Sequence, residues 1–199
     1  MKVIGLCGGS GAGKSAFCEV LKGRGVCCID CDEVARSVQV KGSGCFLELV
    51  EAFGGEILFP DGELNREALA AAVFGDDECV KKLNSITHKY ILRELKKRLK
   101  ALEETEPFVV VEAPLLFESG FDRECDLVVA LLSDQKEQRI IERDSLAAKD
   151  ARARLGAQTD DESLREMCDL CIENDGALLA LEQAADELLN VVSREVLPS

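Results

Sequence analysis

Apolar residues run along this chain in two rhythms. Five short continuous runs read as buried strands: Val3-Ile4-Gly5-Leu6-Cys7, Val26-Cys27-Cys28-Ile29, Phe108-Val109-Val110-Val111, Leu127 to Leu132, and Leu170-Cys171-Ile172. Between them the apolar positions recur three and four apart, the helical period. Ala16 to Lys22 has Phe17, Val20 and Leu21 on its apolar side, and a later stretch has Phe46, Leu47, Leu49, Val50 and Phe53. Further helices are predicted from about Glu33, over Glu67 to Phe74, Asp76 to Thr87, Ile91 to Leu102, Gln135 to Asp144, Leu155 to Leu170 with a break near Gln158-Thr159-Asp160-Asp161, and Ala177 to Val196. Gly23-Arg24-Gly25, Lys41-Gly42-Ser43-Gly44, Gly54-Gly55, Pro60-Asp61-Gly62-Glu63 and Glu173-Asn174-Asp175-Gly176 supply turns. Strands alternating with helices predict a three-layer α/β domain, with a mostly parallel sheet of five strands and helices on both faces.

The first strand runs into Gly8-Gly9-Ser10-Gly11-Ala12-Gly13-Lys14-Ser15, which satisfies G-x-x-x-x-G-K-[ST] at every fixed position. Strand, glycine loop and helix are the context that the phosphate-binding pattern requires. Glycines allow the tight turn and leave backbone N–H groups pointing inward. Those groups and the positive end of the next helix hold phosphate oxygens. Lys14 is placed to bridge the outer phosphates, and the Ser15 hydroxyl to hold Mg²⁺.

Length and composition narrow the class. The 199 residues suit one domain, and 47% hydrophobic content suits a real core. A net charge of −14 argues against general nucleic-acid binding, so an anionic ligand must meet a local basic pocket. No apolar run reaches the roughly 20 residues that span a bilayer. Met1-Lys2-Val3-Ile4 enters the first strand directly, without room for a signal peptide, so a cytoplasmic location is expected. Ten cysteines include two C-x-x-C pairs, Cys28/Cys31 and Cys168/Cys171. A four-cysteine zinc site is conceivable. Against it, Cys28/Cys31 ends a strand while Cys168/Cys171 falls in a helical pattern, so the two settings differ. Small core residues are the favoured reading.

Several charged residues fall where chemistry is expected. Asp30 and Asp32 follow the second strand, at the edge where open α/β sheets bind ligands. One can face a site while the other caps the next helix; two plain capping aspartates are the ordinary alternative. Glu112 ends the third strand, where phosphate-loop enzymes place a group that holds Mg²⁺ directly or through water. Arg139 and Arg143 lie four apart on one helix, with Arg152 and Arg154 beyond. They suit a segment that closes over a triphosphate, or ordinary pairing with glutamates. The basic run Lys96, Lys97, Arg98 and Lys100 reads as a solvated helix face, and His88 as a hydrogen-bonder at a helix junction.

Beyond these single features the chain resembles the dephospho-CoA kinase family, nearly end to end. Asp30-Cys31-Asp32-Glu33-Val34-Ala35-Arg36 is similar to its D-x-D-x-x-A-R element, and Gly62 to Arg66 to its G-x-L-x-R segment. Pro114-Leu115-Leu116-Phe117-Glu118 matches P-L-L-F-E in full. Arg139, Arg143 and Asp144 fit the lid's R-x-x-x-R-D, Gln158 a glutamine beyond it, and Asn174-Asp175-Gly176 the N-x-G turn near the adenine. Two positions depart. His88 is followed by Lys89 instead of proline, which frees φ and implies a less rigid loop, and Ala16 replaces a threonine that would contact the α-phosphate.

The resemblance implies transfer of the γ-phosphoryl group of ATP, with Mg²⁺, to the ribose 3′-hydroxyl of dephospho-CoA. It implies a phosphate-loop kinase core of 1–59, 104–138 and 168–199, a helical CoA-binding insertion of about 60–103, and a lid of about 139–167. ATP would be held by Gly8 to Ala16 and Asn174. Asp32 would orient the acceptor hydroxyl, with Lys14, Arg139 and Arg143 screening the transferred charge. Asp32, Arg36, Arg66, His88, Leu116 and Glu118 would bind the acceptor, and Ser15 and Glu112 the metal. A monomer or weak homo-oligomer is expected, with no nucleic-acid or membrane partner. A kinase for another small alcohol would share the loop and lid but not the joint D-x-D-x-x-A-R and P-L-L-F-E elements. A nucleotide switch or CoA-sensing binder would bind ATP without transfer, which the intact Lys14, Ser15, Asp32 and lid arginines argue against.

Overall fold

The computed structural model describes residues 1–174 and 178–196. Its strands are β1 (Lys2–Cys7), β2 (Cys27–Asp30), β3 (Phe108–Glu112), β4 (Leu127–Leu132) and β5 (Leu170–Glu173). They form one sheet in the order β2-β3-β1-β4-β5, and every pairing is parallel. The helices are α1 (Lys14–Gly23), α2 (Cys31–Val38), α3 (Gly44–Phe53), α4 (Arg66–Val73), α5 (Asp77–Leu102), α6 (Lys136–Asp144), α7 (Ala148–Gly156), α8 (Asp161–Met167) and α9 (Leu178–Val196).

The chain divides into two compact units, one comprising Met1–Asp30 and the chain from Leu102 onward, the other Cys31–Ala101. The first holds the whole sheet. A parallel sheet buried on both faces needs apolar residues at odd and even positions alike, and Val109, Val110 and Val111 are all buried. On one face, Ile4, Leu6, Val110, Val129, Leu131 and Ile172 pack with Phe17 and Leu21 of α1 and Leu181, Ala185, Leu188 and Val192 of α9. On the other, Gly5 makes room for the segment after β3. A Cβ at Gly5 would lie 2.8 Å from Cys125 Sγ and 3.1 Å from Leu116 Cδ2.

The second unit is helical and has its own core of Cys45, Phe46, Leu49, Ile57, Leu64, Leu69 and Ile86. Side chains cap its helices as their sequences require. Ser43 Oγ accepts from Phe46 N at 3.1 Å, and Asn65 Oδ1 from Ala68 N at 3.1 Å.

Three local expectations differ from the structure. Asp76 to Thr87 and Ile91 to Leu102 are not two helices but one, α5, and His88 is interior to it. Lys89 explains the continuity, because unlike proline it keeps its N–H and has no ring to clash with the preceding turn. The second unit starts at Cys31, well before residue 60. The C-x-x-C pair Cys168/Cys171 is not helical: Cys168 caps the end of α8, and Cys171 lies in β5, as the strand expected over Leu170-Cys171-Ile172 requires.

Candidate active site

The glycine loop leaves the end of β1, near the middle of the sheet. Gly8, Gly11 and Gly13 have φ of 138°, 79° and 99°, conformations that side chains rarely adopt. Space excludes side chains there as well. A Cβ would meet the Leu131 carbonyl oxygen at 2.3 Å from Gly8, the Lys136 carbonyl oxygen at 2.6 Å from Gly11, and Asn174 Nδ2 at 2.3 Å from Gly13. Ala12 is fully buried, and its N–H donates to Gly9 O at 3.1 Å. Lys14 is 8% exposed and curls back over the loop, donating to Gly8 O at 2.8 Å and Gly9 O at 3.2 Å. Its ammonium therefore sits at the loop's root, while Ser10, Ser15 and Ala16 reach solvent to different degrees.

The sheet's carboxyl edge gathers the acidic strand ends. Glu112 is in register with Leu6 of β1 and with Asp30 of β2. Though nearly buried, its carboxylate accepts from Ser15 Oγ at 3.0 Å. A hydroxyl and a carboxylate in contact beside a phosphate cradle make an oxygen donor pair of the kind a hard divalent cation takes. Among the described residues there is no cluster of three or more His, Cys, Asp or Glu suited to a metal by itself. That is compatible with Mg²⁺, which keeps several waters and phosphate oxygens in its shell. The chain leaves this edge at Asp30, and Asp32 lies in the first turn of α2. Arg36, four residues on, shares Asp32's helix face.

Helix α6 and the segments after it brace the loop from outside. Arg139 Nη1 donates to Gly11 O at 3.3 Å and Ala12 O at 3.4 Å, and its Nη2 to Asn174 O at 2.9 Å. Asn174 is 6% exposed; its side chain donates to Ala12 O at 2.7 Å and its N–H to Leu132 O at 2.8 Å. Asp175 and Gly176, the rest of the expected turn, lie outside the described residues. Gln158 is fixed to Ser10 at both ends of its amide, accepting from Ser10 N at 2.8 Å and donating to Ser10 Oγ at 2.9 Å. Arg143 forms a two-pronged pair with Asp144 at 2.7 and 2.8 Å, and Arg154 reaches the same carboxylate at 2.8 Å. The Arg143 guanidinium, with Arg154 beside it, holds the Asp144 carboxyl below its ordinary range. Lys136 carries no sequence motif that marks it. Its Nζ pairs with Asp161 at 2.5 Å, and a Cβ on Gly9 would lie 3.2 Å from its Cδ.

The remaining acceptor-site candidates scatter. Glu118 lines a small cleft with Cys7, Gly8, Gly9, Pro114, Leu115 and Gln158. Leu116 corrects the expectation: it is fully buried under Gly5, so its side chain is core, and Leu115, 48% exposed, is the leucine that reaches the surface. Arg66 opens α4 and His88 lies in α5, both in the helical unit. That unit also carries a groove of about 440 Å³ that no sequence pattern announces. Ser37 and Val38 end one wall, Ser43 and Gly44 begin another, and Tyr90, Arg93, Glu94, Lys97 and Arg98 of α5 form the third. Arg98 bridges the walls by donating to Ser37 Oγ at 3.1 Å. Part of the basic run read as a solvated face thus lines a concave surface.

A five-stranded parallel sheet, a glycine loop ending its central strand, a buried lysine in that loop and a Ser–Glu pair at the sheet edge define a phosphate-loop kinase. Among solved structures, a protein from Thermus thermophilus aligns with a TM-score of 0.83 at 30% identity, over 96% of this chain and 97% of that one. The dephospho-CoA kinase from Campylobacter jejuni aligns with a TM-score of 0.73 at 25% identity, over 99% and 100% of the two chains. A dephospho-CoA kinase of Corynebacterium glutamicum is 39% identical over 195 residues, 96% of this chain and 98% of its own. The sequence model of the dephospho-CoA kinase family matches residues 2–180, and the chain belongs to that family.

Proposed function

We propose that this enzyme transfers the γ-phosphoryl group of ATP to the ribose 3′-hydroxyl of dephospho-CoA, giving CoA and ADP. The observation that carries the reading is the contact of Ser15 with Glu112 beside a loop in which Gly8, Gly11 and Gly13 admit no side chain. Inward N–H groups of Gly8 to Ala16 bind the phosphates, and Lys14 moves from the carbonyls of Gly8 and Gly9 to the outer phosphate oxygens. Ser15 and Glu112 would hold Mg²⁺, which neutralises charge on the β- and γ-phosphates when bound. Asp32 accepts the 3′-hydroxyl proton as that oxygen bonds to the γ-phosphorus and the bond to the ADP oxygen breaks. Arg143 leaves Asp144 to meet the transferring group. Arg139 pins the loop to Asn174 and adds charge close by.

The acceptor's anionic arm is met in the helical unit, by Arg36, Arg66, His88 and the cation-lined groove. Ser37 and Val38 at the groove follow Asp32 by five and six residues, a rise of about 9 Å along α2. A nucleotide's 3′-oxygen and its 5′-diphosphate are separated by a distance of the same order. Glu118 and Leu115 border the loop's cleft and would face the acceptor. We place the reaction in the cytoplasm and in a monomer or weak homo-oligomer; among the described residues no helix is long and apolar enough to cross a membrane. The decisive experiment is incubation with ATP, Mg²⁺ and dephospho-CoA and identification of the product by mass. CoA and ADP in equal amounts are expected; ATP binding without any CoA would overturn the assignment.

A further inference from the structure

Two sulfurs meet beneath the loop. Cys7, the last residue of β1 and the neighbour of Gly8, has its Sγ 3.5 Å from Sγ of Cys168, at the end of α8. They are 161 residues apart in sequence, and neither belongs with the other in a C-x-x-C pair. Cys7 is buried among protein atoms but lines the cleft beside Gly8, Gly9, Glu118 and Gln158, about 40 Å³ in volume. That is several times the volume a single water requires, enough for a molecule the size of hydrogen peroxide. Cys168 is half-buried. All ten cysteines are free thiols.

We propose that Cys7 and Cys168 are a modification site, a thiol pair that small hydroperoxides convert reversibly to a disulfide. The Cys168 hydrogen bond and the nearby Lys14 charge favour the Cys7 thiolate, lowering its pKa against the opposing effect of burial. The Cys7 sulfur attacks one peroxide oxygen, the O–O bond breaks, and hydroxide leaves to take up the thiol proton as water. The sulfenic acid so formed is attacked by the Cys168 sulfur. An S–S bond forms, the S–O bond breaks, and the hydroxyl departs with the Cys168 proton as a second water. Two thiols lose two electrons and one peroxide gains them.

The bond has a mechanical consequence. A disulfide needs its sulfurs about 2.05 Å apart, so closure draws the two sulfurs together by about 1.5 Å. Gly8 has no slack, since a Cβ there would already lie 2.3 Å from the Leu131 carbonyl oxygen. Whatever part of the shift rotation and movement at half-buried Cys168 do not take up is passed to the glycine loop. A displacement of that size in a phosphate cradle is expected to weaken ATP binding by about tenfold or more. This holds whichever alcohol the kinase phosphorylates, because it concerns the loop alone.

The test uses the full chain, reduced and then exposed to hydrogen peroxide. Non-reducing peptide mapping should find a Cys7–Cys168 cross-link that dithiothreitol reverses, and ATP affinity should fall and recover with it. Cys168→Ser should keep normal ATP binding before oxidation, form no such link, and leave a Cys7 sulfenic acid that dimedone traps. Cys168→Ala should behave alike, so an effect of the serine hydroxyl is separated from loss of the sulfur. If both residues stay thiols while other half-buried cysteines oxidise, or if each links to a different cysteine, the site is overturned. A quantitative cross-link with unchanged ATP affinity would overturn its effect on the loop.

Discussion

Ser15 donates its hydroxyl proton to Glu112 across 3.0 Å, joining the first turn of α1 to the end of β3. The pairing depends on register: Glu112, which closes β3, is level with Leu6, one residue short of the end of β1, so it stands beside the loop that leaves β1. Glu112→Gln keeps the shape and a hydrogen-bonding oxygen but removes the charge. The Mg²⁺ concentration needed for half-maximal transfer should rise by roughly tenfold to a hundredfold, the usual cost of losing an outer partner of a metal. Titration of activity against Mg²⁺ at saturating ATP checks it. An unchanged requirement would remove Glu112 from the metal's surroundings.

The two lid arginines should separate in their kinetics. Arg139 is tied to three backbone carbonyls, of Gly11, Ala12 and Asn174, whereas Arg143, among the described residues, holds a carboxylate on its own helix. Arg143→Ala should therefore lower kcat by roughly 10²-fold or more with little change in ATP affinity, as for a charge used in the transition state. Arg139→Ala should lower kcat and also weaken ATP binding, because the loop loses its brace. Equilibrium ATP binding alongside steady-state rates distinguishes the two. Identical profiles would show that the division of labour is wrong.

These contacts mark how far the sequence could be read. The glycine loop, the strand-end acids and the alternating apolar runs are local patterns, and the parallel five-stranded sheet follows from them. What stayed hidden depends on partners far apart in the chain. Lys97 and Arg98 are visible as part of a basic helix run, but Arg93 joins them in a groove that exists only because the end of α2 and the start of α3 supply its other walls. Leu116 sits in a matching motif, yet Gly5 opposite leaves a hole that its side chain and Cys125 enter. The break expected at His88 failed for the opposite reason: two polar residues interrupted the apolar rhythm, while nothing at Lys89 interrupts the backbone.

The groove makes a specific claim on the acceptor. Arg93 and Lys97 lie four apart on α5 and line it together, with Glu94 offsetting part of their charge. The double variant Arg93→Ala, Lys97→Ala should raise KM for dephospho-CoA by about tenfold, in line with loss of one or two charge-assisted hydrogen bonds. The KM for ATP and kcat should stay within about twofold. Increasing salt should weaken the wild type toward the variant, since exposed cations are screened. A variant with normal acceptor KM would leave the groove without a part in substrate binding.

Asp32 stands in the first turn of α2, two residues after the strand end that is level with Glu112. Its carboxylate is the group there able to take a proton from an acceptor hydroxyl. Asp32→Asn retains size and polarity and removes that capacity. Turnover should fall by roughly 10²-fold or more, the contribution typical of a positioned base, while ATP affinity and thermal stability stay as in the wild type. Measuring all three separates chemistry from folding. Unchanged turnover in a folded, ATP-binding variant would exclude Asp32 as the proton acceptor, and the 3′-hydroxyl would then have to lose its proton to solvent or to the phosphate itself.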